Sequence, residues 1–478
     1  MPRPIYMKIF IMPRTEGRKF WPFSVVKYKL NYAIVLLAGL ICWVPGNAQE
    51  SAKRWTLSEL IASAEEHNSD IERWRWKVES ANARRRKAKA ANILPRLRIN
   101  SVSGLVPEAK GDIFNPPQDS SGIRPLGPFN RTELEFVQPL FPLSQGRSLN
   151  KAAVEGVDVE RADLAQAHLD VAFDIKELYY GLLLAQDLKD LARRLSNELA
   201  EKKEGIGNED GLSLTNRYKL ELTLLEMAKR AREINDKVEL ARAALAWKAG
   251  LPNKTVLQLQ AEWLAPITPA VLPLDELSTR AIGLRPDARK LQAGLAATQA
   301  LTQVARAAYL PQVFVGGGIR YAITPGRTDQ RNPFVKDNFN YFDGGVFIGI
   351  RQSLEWRLIA ADVDKAKAEY RELKAREAGA DQGIRLDVRR AYLDYQRADK
   401  DLQGARQGRQ LARQWLQEAR DEYDFDPGAI GDLITAFEAW AHLEQGYSQA
   451  IYDYNLSIAK LEKITGGLKL SVDDEISP

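Results

Sequence analysis

Thiol and imidazole side chains are almost absent from this sequence. Its 478 residues include one cysteine and three histidines. Cys42 lies in the amino-terminal segment, so the sequence after it has no disulfide and no thiolate metal site. His67, His168 and His442 are far apart and form no HExxH-type zinc pair, and we interpret each as a helix-surface residue. We therefore expect no bound metal, no cofactor and no catalytic site.

A phosphate-binding loop is also missing. The glycine run Gly316-Gly-Gly318 lacks the Lys-Ser/Thr pair of a P-loop. Tyr321 stands where a dinucleotide-binding fingerprint has its third glycine. We interpret this run instead as part of a strand that passes close to another backbone.

The apolar run near the amino terminus is too short to span a bilayer. It extends from Tyr32 to Val44, about 13 residues, where a membrane-spanning helix needs roughly 20. Seven basic residues and one acid precede it within residues 1–29, and Gly46-Asn47-Ala48 follows it. This order predicts a secretory signal peptide over residues 1–48. Translation begins at one of three methionines, Met1, Met7 or Met12.

Little net charge remains once that leader is removed. The whole chain carries a net charge of +5. Because the leader has seven basic residues and one acid, the mature chain is left with a net charge near −1. The basic character is therefore a targeting charge, and we expect no nucleic-acid partner. Ile41 precedes Cys42 at a position where lipoprotein processing favours a small residue, which argues against acylation.

What the sequence does contain is a long internal repeat. Five of the 14 positions from Leu57 to Asp70 are identical 217 positions later, from Leu274 to Asp287. Leu94-Pro95 is likewise matched by Leu310-Pro311. A period of about 215 residues is too long for a solenoid, whose units are roughly 20–50 residues. The predicted domains are repeat 1 over residues 49–250, a linker over 251–273, repeat 2 over 274–467 and a tail over 468–478.

Each repeat begins with a helix and then changes its hydrophobic period. Thr56 and Glu59 form a capping-box pattern that opens a helix running to about Asn92, where Pro95 follows. Arg285-Pro286-Asp287 opens the corresponding helix of repeat 2. Period-2 alternation then predicts four strands. They lie at about residues 97–106, 131–140, 312–322 and 341–352.

Very long helices complete each repeat. Apolar residues recur every seven positions in the first of them, which is a coiled-coil period. They are Val157, Leu164, Val171, Leu178 and Ala185. The predicted helical hairpins span residues 150–249 and 361–465. The fold class is therefore α+β, with long antiparallel helical hairpins and four strands per chain.

The four strands suit a membrane β-barrel but cannot form one alone. Every backbone group of a strand in lipid must be paired, so the barrel must close, and closure takes about eight strands. We therefore expect the chain to oligomerise. The helices are too polar for lipid and would extend from the barrel as a coiled-coil wall. The alternative function is a secreted coiled-coil scaffold or adhesin without channel activity.

Several short motifs, in order and in duplicate, resemble the outer membrane efflux protein (TolC-like) family over about residues 55–467. They are Leu94-Pro95, Gln138-Pro-Leu-Phe141 with Gly146, Arg285-Pro-Asp287, and Gly428 with Asp432-Leu433. One departure is that repeat 2 has Gln352-Ser-Leu-Glu355-Trp356 at the second strand–helix junction, with no glycine soon after.

The resemblance implies a homotrimer in outer-membrane lipid. A twelve-stranded barrel would continue as a helical tunnel across the periplasm. The trimer would be a passive exit duct for small molecules, metals or proteins. It would act with a periplasmic adaptor protein and an inner-membrane pump of the RND or ABC type, in a tripartite efflux or type I secretion system.

The resemblance also indicates candidate site residues. Asp432 follows the second hairpin turn, where three copies would form an acidic ring at a periplasmic gate; the alternative is an ordinary first-turn acid. Tyr423 could hydrogen-bond across the same neck or pack as a coiled-coil aromatic. Charged strand residues are expected to face the lumen, and glycines and a proline in the hairpin turns are expected to contact the adaptor. The strand charges are Arg98, Glu133, Glu135, Arg320 and Asp343, and the turn residues are Gly205, Gly207, Gly211, Pro427 and Gly428.

Overall fold

The computed structural model describes most of the chain after the predicted leader. The described residues are 53–111, 125–206, 214–252, 256–330, 332, 334–426 and 429–470. The first-half elements are β1 (Arg54–Trp55), α1 (Leu57–His67), α2 (Ser69–Ile93), β2 (Arg96–Pro107), β3 (Leu126–Phe141), α3 (Leu143–Ile206) and α4 (Leu214–Lys248). The second-half elements are β4 (Gln258–Leu259), α5 (Leu274–Leu284), α6 (Pro286–Ala307), β5 (Gln312–Ile323), β6 (Tyr341–Arg351), α7 (Trp356–Phe425) and α8 (Ile430–Ile464).

The first helical segment begins as predicted but is not one helix. The Thr56 hydroxyl accepts from the Glu59 N–H at 3.1 Å, and the Glu59 carboxylate accepts from the Thr56 N–H at 3.0 Å, which confirms the capping box. The continuous helix to about Asn92 is wrong, because Asn68 separates α1 from α2. Its side chain accepts from the Asp70 N–H at 2.8 Å, so it caps a new helix.

The second half has the same break. Pro286 is the first residue of α6, as the sequence predicted, and Arg285 before it is extended. Because proline has no N–H to donate, it fits the first turn of a helix and ends the one before it. The order helix, helix, strand, strand, long helix, long helix thus occurs twice along the described chain.

The two longest helices start earlier than predicted. The helix α3 has 64 residues and begins at Leu143, not near residue 150, since Gly146 is accommodated inside its first turns. The helix α7 has 70 residues and begins at Trp356, not near residue 361. The Trp356 ring stacks on Tyr309 with ring centroids 6.2 Å apart, which fixes the start of α7 against the end of α6.

The coiled-coil positions of α3 lie on its packed side. Val157 and Val171 are buried, and Leu164, Leu178 and Ala185 pack against the main core. That core joins α1, α3, α4, α5, α7 and α8, and a second cluster joins α3, α7 and α8 near the far ends of the long helices. No helix in the described ranges combines the length and apolar character needed to cross a bilayer.

The strands form two sheets. The larger is antiparallel with the order β2-β3-β5-β6. The β2–β3 hairpin is longer than predicted, because β3 pairs with β2 as far as Leu126, which lies opposite Pro107. The smaller sheet pairs β1 with β4 in parallel and was not predicted, since each strand has only two residues.

Candidate functional site: a two-faced sheet and the ends of the long helices

The register of the larger sheet places all five predicted strand charges on one face. Arg98 lies opposite Glu135, and Glu133 lies opposite Arg320, which in turn lies opposite Asp343. Directly paired residues in a sheet point to the same side, and so do residues two apart along a strand. The five side chains therefore form one charged patch across the four strands.

The strongest contact in this patch is between Arg320 and Asp343. The Arg320 Nε and Nη2 atoms donate to the two carboxylate oxygens of Asp343 at 2.7 and 2.9 Å. Two parallel bonds of this kind fix both side chains in one geometry. Glu133 pairs with Arg131 on its own strand at 3.5 Å. The charged face thus carries both signs in a fixed arrangement.

The opposite face of the sheet is apolar and exposed. Ile348, for example, leaves 73% of its surface uncovered. The face is formed by large side chains from all four strands: Leu97, Ile99, Leu134, Phe136, Ile319, Val346, Ile348 and Ile350. An apolar patch that extends across four strands indicates a surface that contacts lipid or another protein.

A neutral polar cluster lies within this apolar face, toward the β2–β3 loop. Asn130 donates to Ser103 at 2.9 Å and accepts from the Thr132 hydroxyl at 3.1 Å, and Ser101 lies 3.0 Å from Thr132. These four side chains satisfy one another without charge. The row of hydroxyl and amide groups interrupts the apolar face without ending it, because Leu105 and Ile323 are exposed on the same face beyond and beside it.

Aromatic rings lie over the glycines of β5. A methyl group on Gly317 would come within 2.6 Å of both the Phe136 ring and the Gly345 carbonyl oxygen. A methyl group on Gly316 would meet the Phe347 ring at 2.8 Å. The close approach predicted for this glycine run is confirmed, and the ring of Phe136 fills the place that a side chain would take.

Both edges of the sheet are open. Within the described part of the chain, β2 and β6 each pair on one side only. Their outer N–H and C=O groups are therefore available to another strand.

The candidate gate residues lie near the second core cluster. Asp432 is exposed in the first turn of α8. Tyr423, near the end of α7, is half-buried and packs against the cluster that contains Leu433 and Phe437. Burial raises the pKa of the Tyr423 hydroxyl. Gly205 occupies the last turn of α3. The other predicted turn residues, Gly207, Gly211, Pro427 and Gly428, lie outside the described residues.

Two side chains that the sequence did not single out hold the connector between the halves. The Asp187 carboxylate on α3 accepts from the Leu264 N–H at 3.1 Å. Asn455 on α8 is fully buried, accepts from the Ile267 N–H at 3.0 Å and donates to the Ala265 carbonyl at 2.8 Å. Burial raises the pKa of Asp187 to about 6. No local motif marks these residues, because their partners are distant in sequence.

Comparisons with known proteins identify the fold. Residues 277–467 match the family model described as outer membrane efflux protein. No curated protein matches the chain at a significant level. Among solved structures, the Campylobacter jejuni CmeC outer membrane channel has a TM-score of 0.69 at 18% identity and covers 87% of each chain.

Two further channels are similar. The open state of the Neisseria gonorrhoeae MtrE outer membrane channel has a TM-score of 0.68 at 21% identity, over 86% of this chain and 89% of MtrE. The Vibrio cholerae outer membrane protein VceC has a TM-score of 0.65 at 17% identity, over 86% of this chain and 96% of VceC. The family model confirms the predicted resemblance over residues 277–467, and the solved structures show the fold. Residues 277–467 are therefore an outer membrane efflux protein domain, in a chain whose described part has the fold of outer-membrane channels.

Proposed function

We propose that the protein is the outer-membrane exit duct of a tripartite efflux or type I secretion system. It exports small molecules, metals or proteins passively from an inner-membrane pump through a periplasmic adaptor. The observation that carries this proposal is the larger sheet, with all five strand charges on one face and apolar side chains on the other. A sheet of this kind has one side suited to a water-filled lumen and one suited to lipid.

The open edges of the sheet favour a closed ring of identical chains. In a head-to-tail ring, β6 of one copy pairs with β2 of the next, and each copy uses the same two surfaces. Two four-stranded copies would give a barrel whose interior is filled by side chains. Three copies give twelve strands and leave room for a lumen, so the proposed assembly is a homotrimer.

The long helices carry surfaces that suit the same ring. Leu214, Leu222 and Leu225 are exposed on α4, and Leu411 and Trp415 are exposed on α7. Large apolar side chains in a row on a helix favour packing against another helix. In the trimer, α4 of one copy packs against α7 of the next. The repeated order of elements further suggests that each chain arose by duplication, which would place six near-equivalent units around one pore.

The proposed partners bind at the far ends of the long helices. In the trimer, three copies of Asp432 form a cation-attracting ring at the periplasmic entrance, and Tyr423 packs beside it. The adaptor contacts the hairpin turns at Gly205, Gly207, Gly211, Pro427 and Gly428. The inner-membrane pump, of the RND or ABC type, delivers the cargo through that adaptor.

A pair of cysteine variants tests the proposed function. Glu135 and Leu134 are neighbours on β3 that point to opposite faces of the sheet. The only cysteine, Cys42, lies in the predicted leader, so Glu135→Cys and Leu134→Cys each introduce a single thiol into the mature chain. The full chain is purified, its mass in detergent is measured, and its conductance is recorded in planar bilayers.

We expect a trimer whose conductance falls when a charged, water-soluble thiol reagent reacts with Glu135→Cys. The same reagent should leave the conductance of Leu134→Cys unchanged, because that position faces lipid. A monomer without conductance would contradict the proposal and favour the scaffold or adhesin. A conducting trimer that is blocked equally through both cysteines would refute the assignment of the two faces.

A further inference from the structure

The chain around the junction of α2 and β2 contains basic residues but no acidic ones. Between Glu79 and Glu108 the chain has seven basic residues and no acid. Five of them lie on the last turns of α2 and two at the start of β2. They are Arg84, Arg85, Arg86, Lys87, Lys89, Arg96 and Arg98.

The helix presents these charges outward. Ala81 and Ala88 are buried, whereas the five basic residues between Ala83 and Ala90 are all exposed. Arg84 pairs with Glu160 at 3.0 Å and Arg86 with Glu79 at 2.9 Å. Among the described residues, Arg85, Lys87 and Lys89 have no ion-pair partner. Three positive charges therefore remain uncompensated on one short segment.

The basic segment lies close along the chain to the apolar face of the sheet. Leu97, the second residue of β2, is the first side chain of that face. The chain can extend at most about 20 Å from Leu97 to Lys89 and about 26 Å to Arg85, at 1.5 Å per helical residue and 3.4 Å per extended residue. The headgroup layer of a leaflet is roughly 5–8 Å thick, and lysine and arginine extend their charged ends toward it along apolar stems.

The two borders of the apolar face differ in charge. Toward the β2–β3 loop the strand residues of this face are uncharged: the cluster of Ser101, Ser103, Asn130 and Thr132, with apolar Leu105 beyond it. The border at the helices carries the three uncompensated cations. A basic segment next to a lipid-facing surface attracts anionic headgroups.

We propose that Arg85, Lys87 and Lys89 bind anionic glycerophospholipid headgroups in the leaflet on the helical side of the sheet. This rests on the proposed function, because it requires the larger sheet to lie in the outer membrane. The contact anchors each chain at the depth where α2 meets β2. It also gives the two ends of the lipid-facing surface different headgroup preferences.

Spin-labelled lipids test the proposal. The full chain is reconstituted in phosphatidylcholine vesicles that contain a minor fraction of phosphatidylglycerol. The association of each spin-labelled lipid with the protein is measured by electron paramagnetic resonance. We expect phosphatidylglycerol to associate about threefold more strongly than phosphatidylcholine at low salt, and this preference to shrink as salt shortens the Debye length below about 10 Å.

A matched pair of triple variants locates the effect. Arg85→Gln/Lys87→Gln/Lys89→Gln should lose the preference. Lys229→Gln/Arg232→Gln/Lys237→Gln removes three exposed basic residues from α4 and should keep it. Circular dichroism and thermal unfolding check that both variants are folded. Equal association of the two lipids with the wild type, or an unchanged preference in the α2 variant, would overturn the proposal.

Two further measurements distinguish a lipid headgroup from a free phosphate ion, and the lipid contact from the proposed exit duct. Inorganic phosphate should not compete, and competition would indicate a phosphate-ion site instead of a lipid surface. Binding of double-stranded DNA that depends on the same three residues would overturn the lipid assignment. Conductance in bilayers of phosphatidylcholine alone reports on the exit duct. A conducting trimer without lipid preference refutes only the lipid contact, whereas the lack of conductance refutes the duct.

Discussion

Lys248 donates a hydrogen bond to Asp174 across 2.7 Å, and this contact has a counterpart in the second half of the chain. Lys248 also lies 3.5 Å from Asp70, so it bridges two carboxylates. In the second half, Arg285 bridges Asp287 at 2.6 Å and Asp387 at 3.0 Å. Asp70 and Asp287 are the matching residues of the repeated motif. The carboxylates recur, but the cation comes from the end of α4 in one half and precedes α6 in the other.

Replacing this lysine should destabilise the first half. The Lys248 side chain is 13% exposed. Burial alone would lower the pKa of Lys248, but the hydrogen bond from Lys248 to Asp174 raises it. We expect Lys248→Met to lower the free energy of unfolding by about 1–2 kcal/mol, because two carboxylates lose a shared partner. Thermal unfolding in detergent measures the change.

The control for that variant is a surface lysine. Lys229 on α4 lies 3.9 Å from Glu233 and is largely exposed. Exposed pairs of this type contribute well under about 1 kcal/mol. Lys229→Met should therefore unfold near the wild-type temperature, and an equal loss in both variants would contradict the role of the bridge.

The connector between the halves should make stability depend on pH. Burial raises the pKa of Asp187 to about 6 from an ordinary value of 3.8. Its neutral form is favoured in the folded state, so this contribution to stability is complete below about pH 4 and is lost as the pH rises through about 6. Asp187→Asn keeps an oxygen acceptor for the Leu264 N–H but cannot ionise.

We therefore expect Asp187→Asn to raise the unfolding temperature at pH 7 and to have little effect near pH 4. Asp364→Asn, on α7 and largely exposed, is the control. The measurement is a series of thermal melts between these two pH values. If Asp187→Asn retained the pH slope of the wild type, the buried carboxylate would not be its source.

The charged face of the sheet should determine ion selectivity. Arg320→Gln leaves Asp343 and Glu133 on that face without their central cation. Because carboxylates lining a pore favour cations, the cation-to-anion permeability ratio should rise about twofold or more. Reversal potentials in a salt gradient measure this ratio. The double variant Arg320→Gln/Asp343→Asn removes one charge of each sign and should return the ratio toward the wild-type value; failure to do so would argue against a lumenal position.

Asp432, in the first turn of α8, should limit conductance. If three copies of Asp432 surround a narrow entrance, Asp432→Ala should raise single-channel conductance or weaken block by a trivalent cation. Asp453→Ala, an exposed acid farther along α8, is the control and should change neither. Unchanged conductance and block in Asp432→Ala would reduce this residue to an acid that complements the helix dipole.

A single methyl group should disrupt the middle of the sheet. Gly317→Ala places its Cβ within 2.6 Å of the Phe136 ring and of the Gly345 carbonyl oxygen, so strand and ring must move apart. We expect a loss of at least about 2 kcal/mol in stability. Gly345→Ala, on the neighbouring strand, meets open space and should be tolerated. Folded fractions from heated samples on gels measure both, and equal tolerance would contradict the close contact.

The sequence predicted best what local chemistry determines. The Thr56 capping box and the start of α6 at Pro286 each depend on residues within one helical turn, and both are confirmed. The break at Asn68 was missed, although asparagine two positions before Asp70 is a recognisable helix cap. Its second contact, donation to the Lys248 carbonyl at 2.8 Å, could not be predicted because it joins residues 180 positions apart.

The candidate site shows the same limit. Alternation along one strand fixes which residues share a side within that strand, but not how neighbouring strands align. The expected lumenal side of these charges came from the family resemblance, and only the register shows that Arg98, Glu135 and Arg320 share one face. Asp187 and Asn455 were missed for a related reason, since each binds a connector that is distant in sequence.

The ring of Phe136 over Gly317 has a consequence for the order in which the sheet forms. Its two hairpins, β2–β3 and β5–β6, each close within one half of the chain. The contact between β3 and β5 joins the halves, and it must wait for strands separated by two of the longest helices. Non-local pairings of this kind slow folding, because closing the long intervening chain costs conformational entropy before the paired strands compensate for it. The seam under Phe136 is thus where two early hairpins become one sheet, and a delay there would leave four strand edges exposed instead of two.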